Sequence, residues 1–270
     1  MQRSGVSGLA SKNQYRAAHA AQRSKRFSVS RVHPLTPLCC VRGSDGILSG
    51  ASYLIPDTPH SAKFMVHISK HPLVRHKVTL LRDVQTAPCD FRNLVGEIAQ
   101  LMFFEATADL ELTRVTVKTP LTDCEADVIW QRVGIVPILR AGLGMAEAML
   151  RVLPKACVWH LGLFRDHSTH QPITYYNKLP PLPNIDVGYV VDPMLATGGS
   201  ASAAIAIRKS WGLKNIRYIG LIAAPEGVAV LRNEHPDVAI YLAALDSHLN
   251  ENKYIVPGLG DAGDRQFGTC

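Results

Sequence analysis

From Met65 onward the chain alternates short apolar runs with segments whose apolar residues recur every three or four positions. In residues 91–110 (FRNLVGEIAQLMFFEATADL), Leu94, Ile98, Leu101 and Met102 follow the longer period, which predicts an amphipathic helix. Residues 133–138 form a short β-rich run, 144–152 are helical in pattern, and 157–163 are again strand-like. Residues 169–183, with four prolines and the paired Tyr175 and Tyr176, read as a long loop or hairpin. Strands follow at 187–191, 216–223 and 238–243, separated by helices at 201–209 and 227–233. Strands and helices alternating at this spacing need crossover connections. They predict an α/β fold with a largely parallel central sheet and helices on both faces.

Placed in that order, the stretch VVDPMLATGGSASAAI (190–205) is the end of a buried strand, a connection and the start of a helix. The connection lies at the strand's carboxyl end, where open α/β sheets bind ligands. Gly198 and Gly199 let backbone N–H groups approach an anion, Thr197 and Ser200 add hydroxyl donors, and the helix N-terminus adds its positive end. Read alone, Thr-Gly-Gly-Ser is equally a turn. Asp192, five residues ahead of it, favours the cradle: a carboxylate there accepts hydrogen bonds from vicinal hydroxyls while the loop holds a phosphate, as a ribose 5-phosphate requires. The segment has neither the Gly-Lys-Ser/Thr of a nucleoside-triphosphatase loop nor the spaced glycines of a dinucleotide fingerprint. An oxidoreductase of similar layering is thereby excluded.

Composition changes the picture at the N-terminus. The net charge of +7 belongs to residues 1–64, which carry nine Lys or Arg and two acids, Asp45 and Asp57; the remainder balances. Residues 1–44 are arginine-, serine- and alanine-rich and lack acids, the composition of an organellar transit peptide without the apolar block of a secretory signal. A solvated basic tail, or an upstream extension of a reading frame that starts at Met65, are the alternatives. Residues 1–64 are therefore expected to be a disordered leader and 65–270 a complete domain that folds and works from Met65. The balanced body argues against nucleic-acid binding. Apolar runs far shorter than the ~20 residues of a membrane helix predict a soluble protein with no membrane partner. Cys39, Cys40, Cys89, Cys124, Cys157 and Cys270 show no metal-ligand spacing and read as free thiols in a reducing compartment.

These residues carry a resemblance. VVDPMLATGGS resembles the donor-binding loop of type I phosphoribosyltransferases, and its Asp-Pro form resembles the uracil phosphoribosyltransferase family, plant-type members included. VPILRAGLGM (136–145), LFRD (163–166) and above all YIVPGLGDAGDRQFGT (254–269) match the same family. The resemblance implies a type I phosphoribosyltransferase fold with a flexible hairpin at 169–183 and a C-terminal base-binding hood. It implies conversion of uracil and 5-phosphoribosyl 1-pyrophosphate (PRPP) to UMP and pyrophosphate.

The site residues follow from it. Arg140 and Arg165 are expected on the pyrophosphate side of the donor, with Gly142 and Gly144 leaving backbone open beside Arg140. Asp192 is expected to accept the ribose hydroxyls, and Pro193, Met194, Leu195, Ala196, Thr197, Gly198, Gly199 and Ser200 to cradle the 5-phosphate. Ile255, Gly260, Asp261 and Ala262 are expected to line the uracil site, with Gly258, Gly260 and Gly263 as loop glycines and Asp261 reaching toward the donor or its metal. Arg140, Asp192 and Asp261 are the candidate catalytic groups, and no general base for the uracil N1 proton stands out. The resemblance further implies Mg²⁺ held mainly by pyrophosphate, with no all-protein metal site, a homodimer or higher homo-oligomer, and in some members GTP activation. Read with it, the serine-rich leader points to a plastid, with mitochondrion or cytosol as alternatives. A non-catalytic relative, either a nucleotide-sensing regulator or a partner-binding subunit, is the other reading. The intact GLGDAGDRQFGT separates it from the enzyme, since a binding-only relative can lose that segment.

Overall fold

A computed structural model describes residues 65–165, 172–177, 179–180 and 183–269, with backbone alone at 163–165 and 172–174. The expected leader, residues 169–171, 178, 181 and 182 of the expected hairpin, and Cys270 lie outside the described residues. In chain order the elements are β1 (Val66–Ile68), α1 (Pro72–Arg82), α2 (Pro88–Ala106), β2 (Leu112–Lys118), β3 (Asp123–Ile129), β4 (Val133–Leu139), α3 (Leu143–Val152), β5 (Cys157–Val158), β6 (Leu161–Arg165) and β7 (Pro172–Asn177). There follow β8 (Val187–Val191), β9 (Met194–Leu195), α4 (Gly199–Ser210), β10 (Asn215–Ala223), α5 (Pro225–Glu234), β11 (Ala239–Leu245), β12 (His248–Leu249), β13 (Ile255–Val256) and α6 (Ala262–Phe267).

The main sheet runs β1-β11-β10-β8-β4-β6-β7, parallel except for the β6–β7 pair. Strands β4 and β8 at its centre are apolar throughout because both faces are covered. Val187, Tyr189 and Val191 of β8 pack in one core with α1, α2 and α3 residues such as Leu81, Phe91 and Met149, while Val190 packs in a second with Ala204, Ile205 and Leu231 from α4 and α5. The two-residue period of the strand thus sorts its side chains between two layers. Among the described residues no helix is long and apolar enough to cross a membrane, and Cys89, Cys124 and Cys157 are free thiols.

The helix expected at 91–110 is α2, starting three residues earlier and ending four earlier. Pro88 occupies its first turn, where the missing N–H is not needed, and Leu110 belongs to a separate turn whose N–H donates to Thr107 O at 3.1 Å. The strand expected at 157–163 is two strands. β5 and β6 both pair with β4, on either side of Trp159, whose N–H donates to Ile135 O at 3.0 Å. The β2–β3 ribbon did not register in the apolar pattern, since its charged residues alternate with apolar ones. It stands outside the main sheet, with Arg114 opposite Asp127 and Lys118 opposite Asp123 on one face, and Val115 opposite Ala126 and Val117 opposite Cys124 on the other.

One buried group runs against the sorting of the core. Arg208 of α4 is fully buried, and among the described residues its Nε, Nη1 and Nη2 have no hydrogen-bond partner. Burial lowers its pKa to about 10, because a guanidinium stripped of water and without an acceptor is costly. Replacing Arg208 with Leu is expected to stabilise the fold by on the order of 1–3 kcal/mol. A melting temperature that falls in R208L means that the guanidinium has a partner.

Candidate active site

The chain leaves β4 through α3 to reach β6 on one side of β4, while β8 lies on the other, so the strand order reverses between β4 and β8. The crevice beyond their carboxyl ends is where such sheets take ligands. Pro137 pairs with Val191, which brings Arg140 and Asp192 out of adjacent strands almost together. A cis peptide joins Leu139 to Arg140. The turn after it lies so close to β8 that a Cβ on Gly142 would fall 2.6 Å from Val191 O and 2.9 Å from Ile138 O. Glycine at 142 lets the Arg140 turn sit on the end of β8.

Asp192 is half-buried at the crevice floor, and its N–H donates to Ile219 O at 3.2 Å. The Tyr218 hydroxyl donates to Asp192 O at 3.2 Å. Burial, and then the Asp192 charge, hold that phenol well above its usual pKa, so it stays a donor. Pro193 O accepts from Leu221 and Ile222, both at 3.0 Å, and β9 then runs along β10. The first part of the expected cradle is therefore pinned: Pro193 and Leu195 are buried and their side chains serve the core. The open part is Ala196 to Ser200.

Gly198 caps α4 with φ +82, a conformation that favours glycine, and a Cβ there would lie 2.9 Å from Val230 Cβ. A Cβ on Gly199 would meet nothing nearer than Thr197 Oγ1 at 4.0 Å, and the first-turn amides of α4 have no intrahelical acceptor. Gly227 of α5 supports the loop from behind, since a Cβ on it would fall 2.4 Å from Ala196 O. Its part in the cradle was invisible in a sequence that reads there simply as a helix start.

The C-terminal segment closes the crevice. Gly258 and Gly260 have positive φ (+66 and +79), as loop glycines should. Gly263, expected as a third, lies instead inside α6, because Asp261 caps that helix by accepting from Asp264 N–H at 2.9 Å. A Cβ on Gly263 would lie 3.2 Å from Asp261 Oδ1 and 3.7 Å from Arg140 Nη2, so both side chains border it. Arg140 Nη2 also donates to Asp264 Oδ1 at 3.2 Å, and Gln266 Nε2 to Ala141 O at 3.2 Å. The Thr269 hydroxyl and then Arg140 hold the Asp264 carboxyl below its ordinary range. Asp264 and Gln266 escaped the sequence reading; an Asp three residues after another, opening a helix, was the available signal. The side chains of Ile255 and Ala262 lie in the main core, so only their backbone is available to a ligand.

Arg165 ends β6 opposite Pro172. On β7, Tyr175 and Tyr176 are exposed, and the Tyr175 ring covers Gly162, where a Cβ would meet it at 2.6 Å.

Comparison with known proteins matches this geometry to one family. The profile described as uracil phosphoribosyltransferase matches residues 68–269. The uracil phosphoribosyltransferase of Roseiflexus castenholzii is 60% identical over 204 residues, 76% of this chain and 98% of its own. That of Dictyoglomus turgidum is 55% identical over 206 residues, 76% of this chain and all of its own. The chain belongs to the uracil phosphoribosyltransferase family. The solved AQ2163 protein of Aquifex aeolicus superimposes with a TM-score of 0.70 at 35% identity, covering 75% of this chain and 98% of that one. The type I phosphoribosyltransferase fold is thus established, and the family match takes in the Arg140 turn, the Asp192 loop and the C-terminal segment.

For a uracil phosphoribosyltransferase the electrostatics of the crevice are telling. Burial pushes the Asp192 carboxyl up to about 7; a backbone hydrogen bond from Met194 lowers it and the Asp261 charge raises it. Between the ordinary carboxylate pKa and about 7 the unfolded chain ionises this group and the folded chain does not, so stability falls as pH rises through that window and then levels. Asp192→Asn is therefore expected to stabilise the ligand-free protein at pH 8 by on the order of 1–3 kcal/mol, with the gain vanishing towards pH 4. Urea unfolding at both pH values checks this, and a gain independent of pH would mean that the carboxyl is not desolvated.

Proposed function

We propose that this chain transfers the phosphoribosyl group of PRPP to uracil: uracil N1 bonds to the ribose C1 carbon as the C1–O bond to pyrophosphate breaks and the N1 proton is lost to solvent, giving UMP, pyrophosphate and a proton. The observation that carries the reading is the meeting of Arg140, Asp192 and Asp261 at the strand-order reversal, on segments that match the family over nearly the whole length of its curated members. The reaction needs an anchored ribose phosphate, charge compensation on the leaving group and a base held over C1.

In this reading the amides at Ala196 to Ser200 hold the 5-phosphate and Asp192 accepts the ribose hydroxyls. Arg140, already tethered by Asp264, presents its guanidinium to the pyrophosphate, with Arg165 as a second cation from β6. Backbone groups of Gly260 to Ala262 match the two carbonyls and one N–H of uracil, and cytosine leaves them unpaired. Mg²⁺ would be held mainly by the pyrophosphate oxygens, since that cation prefers phosphate oxygens and few protein ligands; Asp261 would complete its contacts. Bound, the cation supplies charge compensation on pyrophosphate.

The same reading extends to assembly and place. The apolar face of the β2–β3 ribbon, with Val117 and Val128 more than a third exposed and Leu121 almost fully so at its tip, supports a homo-oligomer in which a second copy covers it, since a lone two-stranded ribbon is marginal in water. Residues 1–64 act as a plastid leader, supported by their excess of base over acid and by a family match that begins at residue 68. GTP activation rests on the family resemblance alone.

Formation of UMP from radiolabelled uracil and PRPP with Mg²⁺, against cytosine, hypoxanthine and orotate as competing bases, tests the reading. Product confined to uracil is expected, whereas donor binding without turnover on any base favours the regulator. In the same assay kcat/KM for PRPP should rise through about pH 7 as Asp192 ionises, and Asp192→Asn should lose that limb together with at least ~100-fold in rate. An Asp192→Asn enzyme with wild-type kinetics removes the residue from the site.

A further inference from the structure

The peptide that faces uracil in this reading is held from behind by residues with no place in the matching motifs. Gly258 has φ +66, and a Cβ on it would fall 2.1 Å from Ile255 O, so the chain turns back on itself there. Both polar backbone groups of Gly258 end on one ion pair. Its N–H donates to Asp246 Oδ2 at 2.9 Å, and its carbonyl accepts from Arg82 Nη1 at 2.7 Å. Arg82 also donates to Asp246 with both terminal nitrogens, Nη1 to Oδ2 at 2.8 Å and Nη2 to Oδ1. The Asp246 side chain is 3% exposed, and its own N–H donates to Ala223 O at 2.8 Å, the last residue of β10. The carbonyl of the next residue, Leu259, accepts from Arg265 Nη1 at 3.0 Å, and the same nitrogen donates to Leu81 O at 3.0 Å. The turn entering the base site is thereby fastened to the end of α1 and to the sheet.

We propose that Arg82 and Asp246 are positioning and specificity-determining residues for the base: their fork fixes the peptide planes of Gly258 and Leu259, and through them the orientation of the Gly260–Ala262 backbone that reads uracil. This rests on the proposed function. A bidentate, charge-assisted pair supplies direction as well as strength. Recognition by backbone groups depends on direction, because an amide turned away neither binds uracil nor rejects cytosine. Among the described residues, neither Arg82 nor Asp246 hydrogen-bonds to residues 196–200, the open part of the donor loop.

Steady-state kinetics of the full chain test it, comparing wild type with Asp246→Asn and Arg82→Lys, alongside melting temperatures and donor affinity. Asp246→Asn keeps an acceptor for Gly258 N–H but loses the charged fork. It should raise KM for uracil by about tenfold or more and narrow the preference for uracil over cytosine, while KM for PRPP stays within about twofold. Arg82→Lys keeps the charge and one donor, so its uracil KM should lie between the two. If Asp246→Asn fails to fold, the uracil-to-PRPP split in Arg82→Lys decides. Uracil KM unchanged in a folded variant, or uracil and donor parameters worsening together, overturns the proposal. A wild type that makes no UMP overturns the functional reading as well, whereas a wild type that makes UMP beside an unaffected Asp246→Asn overturns this inference alone.

Discussion

Everything in the crevice depends on how closely two strand ends approach one another. The Arg140 turn lies on the carboxyl end of β8 at a separation that leaves no room for a Cβ at residue 142. A guanidinium and a carboxylate issuing from neighbouring parallel strands are thereby brought together without any contact of their own. The sheet register sets the separation between them, and close packing leaves that register little freedom. The helix that follows each strand begins at the crevice, so orphan amides and a positive helix end arrive there as a by-product of the crossover connection.

The carboxyl at this junction illustrates the cost of such an arrangement. Asp192 is held in a place where its charge is disfavoured, next to a second carboxylate and a phenol that does not ionise. In the proposed reading, stability is given up locally so that a carboxyl waits where the ribose hydroxyls arrive. Arg140, by contrast, stays more than half exposed and is tethered by Asp264, a cation that is oriented without being desolvated. An anionic leaving group meets it without the expense of moving a buried charge.

Much of this was legible along the chain because it is local. The β8–loop–α4 unit could be read from a run of apolar residues, an Asp and a pair of glycines, and the central strands from their uninterrupted apolar character. What escaped was either disguised or distant. The β2–β3 ribbon hid because alternating charge looks like a loop when its partner strand is unknown. Pro88 opened a helix whose apolar stripe starts only at Phe91, so the start was set too late. Arg82 and Asp246 lie 164 residues apart, and no spacing or periodicity joins them. Gly227 matters only because of a carbonyl thirty-one positions earlier, at Ala196.

The fastening of the final segment to α1 also orders events during synthesis. Residues 133–200, which carry the donor side of the crevice, and the strands β10 and β11 that complete the sheet all leave the ribosome before residues 255–269. Arg265 binds the carbonyls of Leu81 and Asp83, and stacks over the Phe91 ring at 4.5 Å, so it joins the first helices of the domain to the last. On the proposed function, the base side is therefore the last part of the crevice to be made, and transfer waits until the last helix docks.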